Sequence, residues 1–197
     1  MHGRCHGHRI HRPGEHGPRH GANLVKAGHR VTLYNRSPGK AEALVQQGAT
    51  AAGSVAEASN AEVVFTMLAD DRAVEDVAFG ENGILASLAP GATHVSSSTI
   101  SVALSERLAA AHADAGQRYA AAPVFGRPEA ASAAKLFVIT AGAPEVLDAL
   151  SAMFDAIGQR TFAVSERPAT ACSLWWQPAA GTWTGRRYRP SPTGTPA

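Results

Sequence analysis

From Asn23 to Thr170, short apolar runs rich in β-branched residues alternate with stretches of helical length, and this alternation limits the fold more than any other property of the chain. His29 to Tyr34 (H-R-V-T-L-Y) suits a strand. Ser37-Pro38 then supplies an N-cap followed by proline at the first helical position. Ala41, Leu44 and Val45 form an apolar stripe, and Gly48 closes that helix. Ala61 to Leu68 is almost continuously apolar, as in a parallel strand buried on both faces. Asp70-Asp71 opens a helix, and Thr93 to Ser97 forms a strand. Ser101 caps a helix that runs to Ala115 and ends at Gly116. Leu136 to Thr140 is strand-like, and Pro144 opens a helix carrying Val146, Leu147, Leu150 and Phe154 and ended by Gly158. Arg160 to Val164 is a last strand. This order predicts an α/β fold, a doubly wound, mostly parallel sheet with helices on both faces. Ligands of such sheets bind at the carboxyl ends of the strands, so the residues just after each strand are the candidates.

Composition divides the chain into three parts. Residues 1–21 hold six of the nine histidines and almost no aliphatic side chain. Residues 22–170 carry the alternating pattern. Residues 171–197 hold all three tryptophans (Trp175, Trp176, Trp183) and the run Arg186-Arg187-Tyr188-Arg189. An apolar fraction of 45% suffices for a core, whereas a net charge of +2 argues against a nucleic-acid partner, which needs a concentrated basic face. The two cysteines, Cys5 and Cys172, support neither a disulfide framework nor a CxxC metal site. No apolar stretch approaches the roughly 20 residues that cross a bilayer. No apolar segment follows the charged N-terminus as a signal peptide would require, so a cytoplasmic location is expected.

Four post-strand segments carry chemistry. After Tyr34 stands Asn35-Arg36-Ser37, where a dinucleotide-binding sheet reads the adenosine ribose. An acidic residue there would accept from a free 2′-hydroxyl; Arg36 suits a 2′-phosphate instead, with Ser37, the helix N-terminus and Lys40 adding support. An ordinary exposed arginine in a turn is the plainer alternative. After Thr66 come Met67 and Leu68, either an apolar lip against the cofactor or core residues. Ser96-Ser97-Ser98-Thr99-Ile100-Ser101 offers hydroxyls that cap a helix and can also donate to a ligand. Pro123-Val124-Phe125-Gly126-Arg127-Pro128 is a tight loop at the sheet edge, able to shape a substrate pocket or to serve simply as a turn.

Together Asn23–Ser37, Val64–Asp71 (V-F-T-M-L-A-D-D), Ser97–Ser101 (S-S-T-I-S) and Ala122–Pro128 (A-P-V-F-G-R-P) resemble the β-hydroxyacid dehydrogenase family. That family includes 3-hydroxyisobutyrate dehydrogenases, tartronate semialdehyde and glyoxylate reductases and imine reductases, and it is similar to the NAD-binding domain of 6-phosphogluconate dehydrogenase. The resemblance implies a Rossmann-type domain and hydride transfer between NADPH, rather than NADH, and a small hydroxyacid, carbonyl or imine. It implies that Asn35, Arg36, Ser37, Lys40, Met67, Leu68 and Thr99 bind the cofactor. It implies that Ser98, Val124, Phe125 and Gly126 face a small-molecule substrate. Two departures stand out: Ser96 replaces a frequent Asp, and Phe125-Gly126-Arg127 replaces a frequent Ser-Gly-Gly. Phe125 removes a hydroxyl that would bind a carboxylate.

The resemblance also implies a G-F-I-G-L-G-x-M-G strand and loop just before Asn23, whose glycines admit the pyrophosphate. The chain has H-R-I-H-R-P-G-E-H-G-P-R-H-G from His8 to Gly21. Read one nucleotide later, codons for that segment can spell I-G-F-I-G-L-G-N-M-G-R-A-M. A shifted reading frame, a degraded first strand and marginal stability are therefore expected. The family's catalytic lysine lies in a G-x-x-x-K helix soon after the position of Thr170, but residues 171–197 contain no lysine. The helical C-terminal domain that completes the family's site and homodimer is not recognisable there either. The expectation is an oxidoreductase lineage whose present chain is truncated or frameshifted and inactive. A non-catalytic nucleotide-binding or assembly domain is the first alternative. A metal-chelating N-terminus built on Cys5, His6, His8, His11, His16 and His20 is the second, although no spacing there matches a closed site.

Overall fold

The computed structural model describes residues 6–11, 16–35, 42–126 and 128–174. Strand β1 (His6–His11) leads through helix α1 (His16–Lys26) to β2 (Arg30–Asn35). Helix α2 (Glu42–Val45), β3 (Thr50–Ala51), α3 (Val55–Ser59) and β4 (Val63–Met67) follow. Next come α4 (Asp71–Phe79), α5 (Ile84–Ser87), β5 (Thr93–Ser96), α6 (Val102–Asp114) and β6 (Arg118–Ala121). The last part holds β7 (Val124–Phe125), α7 (Pro128–Ser132), β8 (Leu136–Ala141), α8 (Pro144–Ala149), α9 (Ser151–Ile157), β9 (Gly158–Ser165) and α10 (Ala169–Ser173).

The strands form one sheet in the order β3-β2-β1-β4-β5-β6-β8-β7, with β9 beside β8. From β3 to β6 all neighbours are parallel. Chain connections therefore leave β1 in opposite directions, toward β2 on one side and β4 on the other, which opens a crevice at their carboxyl ends. The α/β, mostly parallel architecture read from the sequence is the architecture found.

The N-terminal segment differs from its expectation. Its side chains carry no strand signal, yet β1 occupies the centre of the sheet, pairing with β2 from His6 opposite Arg30 to His11 opposite Asn35, and with β4 from Gly7 opposite Val63 to His11 opposite Met67. A strand flanked by two others satisfies its N–H and C=O groups on both edges whatever its side chains, so backbone pairing prevails over composition. The central strand is thus degraded in composition and present in pairing. Strand β8 is the other departure: it runs against β6, with Ala121 opposite Ala141 and Phe125 of β7 opposite Phe137. The chain leaves β6 through β7, turns at Gly126 and α7, and returns along β8 antiparallel to both.

Two apolar layers sandwich the sheet. One holds Leu24, Leu44, Phe65, Val95, Val138, Leu150 and Phe154, beneath α1, α2, α8 and α9. Within it the Phe65 and Phe154 rings meet edge to face at 6.5 Å. The other holds Val64, Leu68, Val74, Ile84, Leu104, Leu108 and Ile139, beneath α3, α4, α5, α6 and α10. Helix ends follow their sequence signals. Asp70 accepts from Ala73 N, Ser101 accepts from Leu104 N, and Gly48 and Gly116 take φ of +101° and +66° after α2 and α6. The single helix expected from Pro144 to Gly158 is divided at Leu150 into α8 and α9.

Candidate functional site at the carboxyl edge of the sheet

Strand register sets the site. Asn35 of β2 and Met67 of β4 both pair with His11 of β1, so the three ends stand in one row. Thr66 of β4 pairs with Ser96 of β5, which puts Ser97 level with Met67. At about 4.8 Å per strand, the edge from Asn35 to Ser97 spans about 14 Å. Arg36, Ser37 and Lys40, expected to read the phosphate, lie outside the described residues.

Beyond β4 and β5 the two connections are laced together. Thr66 O accepts from Ser97 N at 2.8 Å, and Ser96 O accepts from Ala122 N at 2.7 Å. Ser98 Oγ accepts from Leu68 N at 2.7 Å, and Asp71 Oδ1 accepts from Ser101 N at 2.9 Å. The first two bonds carry the β4–β5 and β5–β6 ladders one residue further, and the last two tie the segment after β5 to the turn and helix start after β4, so the hydroxyl cluster is part of a laced rim. Thr99 is exposed on that rim, Ser98 is buried at 2% exposure, and Met67 is half-buried. Leu68 belongs to the core: its side chain packs with Val64, Val74 and Ile100, and only its backbone reaches the rim.

Ser97 received no separate role in the sequence reading. Its Oγ is buried without a protein partner and lines a hollow with His20, Leu24, Phe65, Thr66, Met67 and Ile157. The hollow leaves about 10 Å³ for the centre of a water molecule, the threshold for holding one.

Val124 and Phe125 are half-buried on β7, which continues past the carboxyl end of β6 as an arm paired with β8. Gly126 turns this arm at φ +148°, where a Cβ would come within 2.6 Å of Leu136 Cδ2. Only glycine fits there. The structure thus gathers Asn35, Met67, Ser98 and Thr99 on one edge, with Val124, Phe125 and Gly126 on an arm beside it. Sequence reasoning missed the histidines beneath this edge, His94 and His112; a histidine within the apolar strand T-H-V-S was their only signal.

A parallel sheet in this order, with hydroxyls laced along its carboxyl edge, defines a Rossmann-type dinucleotide-binding domain. The chain belongs to the family of the NAD binding domain of 6-phosphogluconate dehydrogenase, whose profile matches residues 14–165. It is 49% identical over 150 residues to an uncharacterized oxidoreductase, YfjR, of Bacillus subtilis, a match that covers 76% of this chain and 52% of that protein. It superimposes on a structure of Psf3 in complex with NADP+ and 2-OPP with a TM-score of 0.81 at 32% identity, covering 86% of this chain and 60% of that one. It is also similar to 3-hydroxyisobutyrate dehydrogenase of Mycobacterium tuberculosis with L-serine, with a TM-score of 0.80 at 26% identity, covering 86% and 57%. The chain therefore spans little more than half the length of these relatives. Among the described residues no helix is long and apolar enough to cross a membrane, and no group of His, Cys, Asp and Glu is arranged to hold a metal.

Proposed function

We propose that the chain carries the cofactor domain of an NADP-dependent oxidoreductase lineage that moves hydride to or from a small hydroxyacid, carbonyl or imine. The observation that carries this reading is the single row of Asn35, Met67 and the Ser97–Thr99 rim on either side of β1. In it Asn35, Arg36, Ser37 and Lys40 hold the adenosine end, with the guanidinium on a 2′-phosphate, and Met67 and Thr99 flank the rest of the cofactor. Leu68 contributes through its backbone. Ser98 accepts from Leu68 N and keeps its own hydroxyl hydrogen for a ligand. Val124, Phe125 and Gly126 form the substrate side, where Phe125 disfavours a carboxylate. The Psf3 complex with NADP+ supports the cofactor choice.

The same proposal holds the present chain inactive. Its segment between β1 and α1 reads Arg12-Pro13-Gly14-Glu15 in place of the family's glycine-rich loop, and residues 171–197 offer no lysine for proton transfer. A shifted frame over His8–Gly21 accounts for the first change. Residues 22–170, completed by β1 and the start of α1, act as the functional unit, and a reducing cytoplasm is its compartment. Titration with NADPH, followed by nucleotide fluorescence, tests the reading. Weak or absent binding is expected, with binding gained when I-G-F-I-G-L-G-N-M-G-R-A-M replaces the segment from His8. A restored chain that still ignores both NADPH and NADH would overturn it.

A second reading is a domain that packs or assembles without binding a nucleotide. The pairing of β1 despite its composition favours it. A cooperative thermal transition unaffected by NADPH, in both the present and the restored chain, would select it.

A further inference from the structure

A chain of buried polar groups runs through the apolar layer under α4, α5 and α6. His94 of β5 and His112 of α6 are each 0% exposed, and His94 Nδ1 lies 2.8 Å from His112 Nε2. At one end His94 Nε2 lies 3.0 Å from Thr66 Oγ1. At the other, His112 Nδ1 lies 2.6 Å from Gln117 Oε1, and Gln117 Nε2 donates to Leu88 O at 2.6 Å and Leu85 O at 3.0 Å.

The far end fixes the direction of every hydrogen. The two carbonyls only accept, so the amide nitrogen of Gln117 faces them and its oxygen faces His112. His112 Nδ1 must then donate. A neutral imidazole carries one hydrogen, so His112 Nε2 accepts, His94 Nδ1 donates, His94 Nε2 accepts and the Thr66 hydroxyl donates.

We propose that Thr66, His94, His112 and Gln117 form a one-way hydrogen-bond strut that holds the carboxyl ends of β4 and β5 under the crevice only while both rings are neutral. Thr66 links the strut to the rim, because its carbonyl accepts from Ser97 N and its neighbour Met67 stands in the candidate row. The strut makes His94 and His112 positioning residues for the crevice proposed above, and only its bearing on ligands rests on that reading.

A proton added to the pair has one place to go. At His94 Nε2 it turns the Thr66 hydroxyl away and leaves that hydroxyl without its acceptor. The groups facing the rings cannot offset the new charge. Tyr119 of β6 stacks on His112 at 5.6 Å and meets His94 edge-on at 5.4 Å. Thr66 comes from β4, Gln117 from the turn between α6 and β6, and the carbonyls of Leu85 and Leu88 from α5 and its C-cap. Ser105 of α6 and Cys172 of α10 face Tyr119, and Asp71 of α4 faces Cys172. Among the described residues no carboxylate or cation bonds to either ring. Burial, and for His94 the neighbouring His112, keeps both rings from protonating in the ordinary histidine range.

Side-chain proton–nitrogen correlation spectra of the full chain test the strut without any cofactor. Both rings are expected neutral with hydrogen on Nδ1 at pH 7.5. On acidification a new Nε2–H signal is expected on His94 while the Nδ1–H signals persist, together with displacement of the Met67, Ser97 and Ser98 amide signals, at one midpoint. Gln117→Met removes the fixed end, and mixed tautomers are expected on both rings; Thr66→Val leaves the tautomers as they are. Hydrogen on Nε2 of either ring at pH 7.5 overturns the proposal. So do rim amides that stay in place while the rings titrate. Failure of NADPH to bind would bear on the proposed function and not on this strut.

Discussion

Ser98 Oγ accepts the backbone N–H of Leu68 at 2.7 Å, across 30 residues of sequence and between the turns that follow two adjacent strands. The bond joins a buried hydroxyl to a buried amide, so each satisfies the other where water does not reach. Ser98→Ala leaves that amide without an acceptor. A loss of about 1–3 kcal/mol is expected, read as a lower urea midpoint at unchanged slope. An unaltered midpoint would mean that water replaces the hydroxyl.

The histidine strut predicts how stability follows pH. Both rings have folded pKa values below the unfolded value of 6.5. Their neutral pairing contributes in full above that value, and the contribution drains away as pH falls from 6.5 toward the folded values. Urea midpoints are expected to be flat from neutral to mildly alkaline pH and to fall in mild acid. His112→Phe removes one titrating ring, and its acid slope is expected to be shallower.

Gly126 turns the β7–β8 arm in a conformation that L side chains avoid, with Leu136 Cδ2 only 2.6 Å from the site of a Cβ. Gly126→Ala therefore combines backbone strain with a clash against a buried leucine, and a loss of about 1–3 kcal/mol is expected by thermal denaturation. Gly91, at φ +79° with open space around its Cβ site, isolates the backbone part of the cost. Gly91→Ala should cost less.

Phe154 is 1% exposed and packs edge to face on Phe65 of the central β4. Phe154→Ala is expected to cost about 3–5 kcal/mol, while Phe154→Leu, which keeps most of the volume, should cost less than half as much. Equilibrium denaturation of both variants gives the comparison.

The proposed nucleotide preference rests on Arg36. In the chain restored over the segment from His8, Arg36→Ala is expected to weaken NADPH by about tenfold or more, about 1.4 kcal/mol, and to leave NADH nearly unchanged. Equal losses for both nucleotides would assign Arg36 to the turn alone.

The sequence pattern carried most of this architecture, for reasons visible in particular elements. Val63–Met67 is buried on both faces and reads as an unbroken apolar run. Asp70 and Ser101 announce α4 and α6 because their side chains cap the orphan amides of the first turn. Strand β1 was illegible because its position is fixed by its two neighbours through main-chain bonds, which leave no mark on side-chain composition. The reversal of β8 was illegible because a run such as L-F-V-I-T looks the same in either direction. At the edge, Ser98 and Thr99 were legible as hydroxyls before a helix, whereas the bond of Ser98 to Leu68 and the pairing of His94 with His112 depend on contacts distant in sequence.

The placement of β1 carries one further consequence. A strand whose residues His8–His11 depart from the glycine-and-aliphatic motif that the family resemblance implies still fills the middle of the sheet, because the flanking strands dictate its hydrogen bonds. Persistence of shape in this domain therefore rests on main-chain pairing rather than on the side chains that this segment carries.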